Sequence, residues 1–86
     1  MNDCVYILEC ADGSLYTGWT NDIEKRLAVH SAGRGSRYTR SHLPVTLRYV
    51  EPCAGRSEAM RREQEIKAMS RADKIRLMES HLLNNK

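Results

Sequence analysis

The chain has 86 residues, a net charge of +3 and a hydrophobic fraction of 41%. A chain this short buries only about 60–65% of its unfolded surface, so it fits one domain over residues 1–86 with one shared core. No apolar run approaches the ~20 residues that span a bilayer, and the amino terminus lacks the positive start and apolar stretch of a secretory signal, so the expectation is a soluble, cytoplasmic protein with no membrane partner. Cys4, Cys10 and Cys53 are odd in number and without a close pair. That argues against a disulfide framework or a zinc knuckle, and they read as small buried hydrophobes.

Charge is unevenly placed. Residues 1–24 carry five acids and no Lys or Arg, residues 25–50 carry six Lys/Arg and no acid, and residues 51–86 carry eight Lys/Arg against six acids. The basic middle block is either a solvated face or an electrostatic footprint for phosphates, and charge alone does not choose between them. There is no internal repeat, low-complexity tract or Pro/Gly-rich linker.

The first element is the mostly apolar run at residues 4–10, which predicts a strand covered on both faces. A second strand is expected at residues 15–20, rich in aromatic and β-branched residues, with the hairpin signal Ala11-Asp12-Gly13 between them. A two-residue Asp12-Gly13 loop pairs Glu9 with Tyr16 and separates Tyr6 and Tyr16 onto opposite faces. A three-residue loop, with Ala11 and Asp12 in a type I turn and Gly13 left-handed, pairs Leu8 with Tyr16 and Tyr6 with Gly18, so both phenols share a face. The three-residue loop is preferred, because a type I′ turn demands a positive φ at its first residue.

Asn21 followed by Glu24 predicts a capping box and a helix from about residue 22, with Gly33 as its stop. Ile23 and Leu27 define the apolar stripe, and the three-and-four spacing sets Arg26 and His30 beside it, tending inward. Two readings of each remain open: His30 is a buried histidine bonded to the backbone or a catalytic group, and Arg26 is a snorkelling border residue or a functional one. Residues 31–43, Gly-, Ser- and Arg-rich, read as a mobile basic loop. Its Arg34, Arg37, Tyr38 and Arg40 are candidates for gripping nucleic acid, arginine forks on phosphates and the tyrosine on a base; the alternative is a plain connector. Pro44 and Pro52 bracket a third strand in which Val45, Leu47 and Tyr49 alternate with Thr46 and Arg48.

A second helix is expected after Ser57, running to Ser70, with an apolar stripe of Ala59, Met60 and Ile66. Glu63 falls where that stripe calls for a hydrophobe, so its carboxylate needs either an arginine partner or a bound divalent cation. Ser70 with Asp73 predicts the cap of a third helix, with Ile75, Met78 and Leu82 on its apolar face and fraying at residues 84–86.

In order and spacing these residues resemble the GIY-YIG nuclease family over nearly the whole chain. VYIL at 5–8 stands where the family has its GIY element and YTG at 16–18 where it has YIG. Arg26 and His30 follow Tyr16 by ten and fourteen residues, and Glu63 lies in a helix that begins Ser-Glu-Ala. The DGSLYTGWT stretch is similar to the small stand-alone bacterial members. Two positions depart from the pattern: Val5 replaces the first glycine, and Trp19 occupies the place after YIG where family enzymes often carry lysine. Charge at that place would have to come from Lys25 or an arginine of the basic segment.

The resemblance implies an α+β fold, a three-stranded antiparallel sheet flanked by helices in the order ββαβαα. It also implies hydrolysis of phosphodiester bonds in DNA at one divalent metal ion. A phosphodiester is shielded by its own charge, so cleavage needs a deprotonated nucleophile, neutralisation of the transition state and help for the leaving oxygen. On the family pattern Glu63 holds Mg²⁺ or Mn²⁺, Arg26 contacts the scissile phosphate, Tyr16 activates water, Tyr6 positions phosphate or nucleophile, and His30 is an alternative proton relay. With no appended DNA-binding domain, specificity would come from nucleic-acid shape or a protein partner, as in structure-selective cutting during repair or recombination. A binding module or protein-interaction domain with little or no catalysis is the alternative.

Overall fold

The computed structural model describes residues 3–84, with side chains for residues 3–80. At its centre is β1 (Cys4–Glu9), buried throughout except at Glu9. A strand covered on both faces needs no polar alternation, which is why this run reads as continuously apolar. It is flanked on both sides by antiparallel partners, β2 (Leu15–Thr20) and β3 (Thr46–Pro52), in the sheet order β2-β1-β3.

The hairpin takes the three-residue loop. Gly13 sits at φ +86°, its N–H donates to the Cys10 carbonyl at 2.9 Å, and Asp12 Oδ1 accepts from the Ser14 N–H at 3.0 Å. Leu8 therefore pairs with Tyr16 and Tyr6 with Gly18. Because side chains alternate along a strand, Tyr6, Tyr16 and Gly18 share one face while Val5, Ile7, Leu15, Thr17 and Trp19 take the other.

On β3 the expected alternation breaks. Ile7 pairs with Tyr49 but Leu8 with Leu47, so Arg48 is the extra residue of a bulge, and Leu47 and Tyr49 fall on opposite faces. Arg48 turns outward to Glu9, Nε to Oε1 at 2.7 Å.

The face bearing Val5, Ile7 and Tyr49 packs on Ala59 and Ile66 of α3 (Arg56–Lys67), with Leu77 and Met78 of α4 (Arg71–Asn84) closing over it. The helix α3 starts from Gly55, with no side-chain cap, and so begins earlier than the serine-based expectation. Met60 lies outside the stripe at 44% exposed, since one residue rotates it about 100° from Ala59. A polar seam ties α3 to β3: Arg62 Nε donates to Glu51 at 2.8 Å, and Glu51 also accepts from the Tyr49 hydroxyl. Ser70 caps α4 through the Asp73 N–H at 3.1 Å. Leu77 joins the core beside the expected Met78; the Leu82 side chain, Asn85 and Lys86 lie outside the described residues.

The opposite face is covered by α1 (Ile23–Ser31) and the one-turn α2 (Arg37–Arg40). The cap of α1 is Asp22, one residue after the expected Asn21, with Oδ1 accepting from the Lys25 N–H at 3.1 Å. Gly33 ends it at φ +78°, and the Gly33 and Arg34 N–H groups bond the carbonyls of His30 and Val29 at 3.0 and 2.9 Å. This is the double bond of a Schellman motif, which the absence of a Cβ permits. The segment expected to be a mobile loop is instead anchored, with Ser36 Oγ accepting from the Thr39 N–H at 3.1 Å and Thr39 fully buried. The order ββαβαα is observed with α2 inserted before the third strand. Among the described residues no helix is long and apolar enough to cross a membrane.

Candidate active site

The hairpin register aims the Tyr6 phenol across Gly18 toward α1. A Cβ at position 18 would stand 2.6 Å from the Tyr6 hydroxyl oxygen, so the glycine of YTG makes room for that phenol. Tyr6 is 2% exposed, and its hydroxyl meets His30 Nε2 at 3.0 Å. His30, one turn after Arg26 on α1, is equally buried, and its Nδ1 lies 2.8 Å from Thr39 Oγ1. Gly35 passes so close that a Cβ there would be 2.1 Å from Nδ1.

The Thr39 hydroxyl hydrogen has three acceptors in reach, the Ser36 carbonyl at 3.2 Å, Ser36 Oγ at 3.1 Å and His30 Nδ1 at 2.8 Å. With that hydrogen placed on the Ser36 carbonyl, the Thr39 oxygen accepts from His30 Nδ1–H. The Nε2 atom is then bare and accepts from Tyr6, a tautomer assigned from the hydrogen-bond network. Burial, and after it the charge of Arg26, hold His30 below its usual 6.5, so the imidazole is neutral at neutral pH. Burial first, then the neighbouring Tyr16, push the Tyr6 phenol well above its usual range, with Glu63 adding and Arg26 opposing. Tyr6 therefore keeps its proton and directs it at His30.

Tyr6, Tyr16, Arg26, His30 and Glu63 line a single cleft of about 310 Å³ beside Arg34. The hairpin supplies the two phenols, α1 the guanidinium and imidazole, and α3 the carboxylate. His30 is buried as expected, but its bonds go to side chains and not to the backbone. Arg26 does not turn inward: it is exposed, it lines the cleft, and no hydrogen bond or ion pair engages its guanidinium among the described residues. An exposed head is what a snorkelling arginine also shows; lining the cleft with no carboxylate on it, the fork is available to a ligand.

The Glu63 side chain is 15% exposed, and its partner is Lys67 at 3.6 Å, not an arginine. That separation is beyond hydrogen-bond length, so the carboxylate lone pairs remain open to the cleft. Among the described residues no group of three or more His, Cys, Asp and Glu gathers into an all-protein cage. A hard divalent ion such as Mg²⁺ does not need one, because it keeps several waters and takes one or two carboxylates plus substrate phosphate oxygens. Glu63 is the single carboxylate that the residues lining the cleft offer such an ion.

The remaining candidates divide. Arg34 lies in the cleft wall, whereas Arg37, Tyr38 and Arg40 lie on α2 outside it. Trp19 lines the cleft where family enzymes carry lysine, with the Arg56 guanidinium 5.8 Å from its ring centroid. Lys25 lines a neighbouring cavity, whereas Arg34 of the basic segment lines the same cleft as Trp19. The sequence alone does not mark Thr39, Ser36 or Gly35 as parts of the site, whereas Gly18 is marked as the glycine of YTG. The one local signal for Thr39 is its place three residues after Ser36, the N-cap spacing.

Residues 2–76 match the family described as the GIY-YIG catalytic domain. A UPF0213 protein of Halobacterium salinarum is 56% identical over 70 residues, 81% of this chain and 91% of its own length. One from Staphylococcus haemolyticus is 52% identical over 75 residues, 87% and 92% of the two chains. The solution NMR structure of a UPF0213 protein from Bacillus halodurans is similar with a TM-score of 0.60 and 46% identity, covering 92% of this chain and 84% of that one. The NMR structure of a protein from E. faecalis gives a TM-score of 0.65 at 35% identity, covering 96% and 88%.

Proposed function

The chain belongs to the GIY-YIG family of nuclease domains, and from that premise we propose that it is a divalent-metal-dependent endonuclease hydrolysing phosphodiester bonds in DNA. The whole chain would act as a single catalytic domain. The observation that carries the reading is the cleft in which an unpaired guanidinium, an open carboxylate and a directed phenol–imidazole pair converge.

Glu63 would hold Mg²⁺ or Mn²⁺, which when bound supplies charge neutralisation at the phosphate and help for the leaving oxygen. Arg26 lays its fork on the non-bridging oxygens, a charge that no accessible pH removes. Tyr16, partly exposed and with no hydrogen-bond partner among the described residues, offers its hydroxyl to the phosphate or the attacking water. As the water oxygen bonds to phosphorus, its proton passes to the Tyr6 oxygen while Tyr6 gives its own to His30 Nε2. The imidazolium so formed is paired with the extra negative charge of the five-coordinate phosphate. The P–O ester bond then breaks, the leaving oxygen takes a proton from cleft water, and the proton held on His30 returns through Tyr6 to the hydroxide so formed.

Arg34, Arg37 and Arg40 extend the basic surface along which the strand is gripped, with specificity from DNA shape or a protein partner. The test is incubation of the full chain with duplex, flapped and single-stranded DNA, with and without Mn²⁺. Cleavage only with metal is expected, with Arg26→Ala slower by ~10²-fold or more at an unchanged melting temperature. Cleavage indifferent to metal, or to Arg26, sinks the reading.

A further inference from the structure

At the free edge of β2, where residues of both its faces meet, is a second cavity of about 260 Å³, lined by Tyr16 and Tyr38, by Leu15 and Thr17, and by Lys67 and Lys74. Tyr16 belongs to both this cavity and the catalytic cleft. The Tyr38 ring is 41% exposed, yet it is held at a fixed angle. It lies within 15° of parallel to Tyr16 at 6.3 Å between centroids, and His42 stacks on it at 4.3 Å. His42 is itself tethered by Nδ1 to the Tyr38 carbonyl at 2.6 Å.

The two lysines have little to neutralise them. Lys74 has no ion pair among the described residues, and Lys67 has only the long contact to Glu63 at 3.6 Å. Propped aromatic planes beside Leu15 and Thr17, with two cations in the same lining, suit a flat heterocycle joined to an anion. The volume lies below the roughly 300–1,000 Å³ of sites for drug-sized ligands, which is the scale of one base and not of a larger group.

We propose that this cavity binds a single unpaired nucleobase of the strand being cut, packed on the exposed part of the Tyr38 ring beside Tyr16, with Lys67 and Lys74 on the flanking phosphates. The proposal rests on the nuclease reading of the adjoining cleft, to which Tyr16 connects it. A base inside a duplex has both faces covered by its neighbours and cannot present one to Tyr38. Entry therefore demands unstacking, which a duplex resists and a single strand hardly does. Every base has a π face, so the site selects an unpaired state over a sequence. The substrate class it implies is single-stranded or flapped DNA.

The test uses the Glu63→Gln protein in EDTA, so that binding is read without cutting, and an oligonucleotide carrying 2-aminopurine, single-stranded or annealed. Tight binding with a fluorescence change is expected for the single strand alone. Tyr38→Ala should weaken it by about 10- to 100-fold and Tyr38→Phe should hardly change it. Lys67→Met with Lys74→Met should lower the slope of log affinity against log salt by about 1.4, roughly 0.7 for each phosphate left without its cation. Equal affinity for duplex, or a Tyr38→Ala protein that melts normally and binds normally, overturns the base site. The two readings fail separately: Tyr38-dependent single-strand binding by a protein that never cleaves leaves the base site in place and removes the nuclease.

Discussion

Thr39→Val keeps the shape of a fully buried side chain and removes the hydroxyl that lies 2.8 Å from His30 Nδ1 and, in the Nδ1–H tautomer assigned to the ring, accepts its hydrogen. Valine leaves that N–H with no acceptor inside the protein, a penalty of about 1–3 kcal/mol. In a domain of this size each kcal/mol moves Tm by roughly 4–8 °C, so the melt should fall by about 4–24 °C. The chemical effect is separate. Once Nδ1 is unsatisfied the imidazole gains by carrying its hydrogen on Nε2, where it faces the Tyr6 hydroxyl and blocks proton transfer. Favouring that wrong tautomer by the same 1–3 kcal/mol slows cleavage by about 5- to 150-fold. Thermal melts, single-turnover cleavage at saturating Mn²⁺ and the ¹⁵N shifts of the His30 ring read the three quantities, and Thr39→Ser should restore most of each. A Thr39→Val protein with unchanged tautomer and rate, or a serine variant as impaired as the valine, would refute the proton path.

Gly35→Ala puts a Cβ 2.1 Å from His30 Nδ1, so the ring must move; overpacking of this kind costs about 1–3 kcal/mol, and loss of cleavage beyond the loss of stability is expected in melts and rate assays run together. Arg26→Lys keeps the charge and loses the planar fork, so a fall of ~10²-fold in kcat with an unchanged Tm is expected; a lysine variant of full activity would show that charge alone suffices. The pH dependence follows from the sign of the His30 shift. Burial and Arg26 hold His30 below 6.5, so the unfolded chain binds a proton that the native chain refuses. This contribution to stability is complete above about 6.5 and declines as pH falls through that value toward the folded pKa. The same neutral imidazole receives the Tyr6 proton, so the acid limb of kcat/KM should lie below 6.5 and vanish in His30→Gln; a limb above 6.5 contradicts the assignment.

What could be read from the sequence was decided by local chemistry. The hairpin register follows from turn geometry, because Gly13 alone in that loop tolerates φ +86°, and once the loop length is set every pair down the hairpin is set with it. The inward His30 and the misplaced carboxylate of Glu63 follow from helical period. What escaped depends on contacts between distant segments. Thr39 is buried because α2 folds back onto α1, and four residues are too few for a periodic signal. The need for Gly35 arises only when His30 stands beside it. Arg48 reads as one more outward residue of an alternating strand, and nothing local reveals that it is the bulge against Ile7 and Leu8. Met60 looks like stripe because it is apolar, yet only Ala59 and Ile66 keep the seven-residue spacing that reaches the core.

Single-turnover cleavage of DNA by the wild type and by Glu63→Gln, followed across a Mn²⁺ titration with matched melting curves, puts the metal, the carboxylate and the chemistry into one comparison. The expected result is a rate that rises and saturates with Mn²⁺ in the wild type and lies ~10²-fold or more below it in the variant, at equal Tm. Equal rates for the two proteins, or a wild type that leaves DNA uncut at every Mn²⁺ concentration, would contradict it.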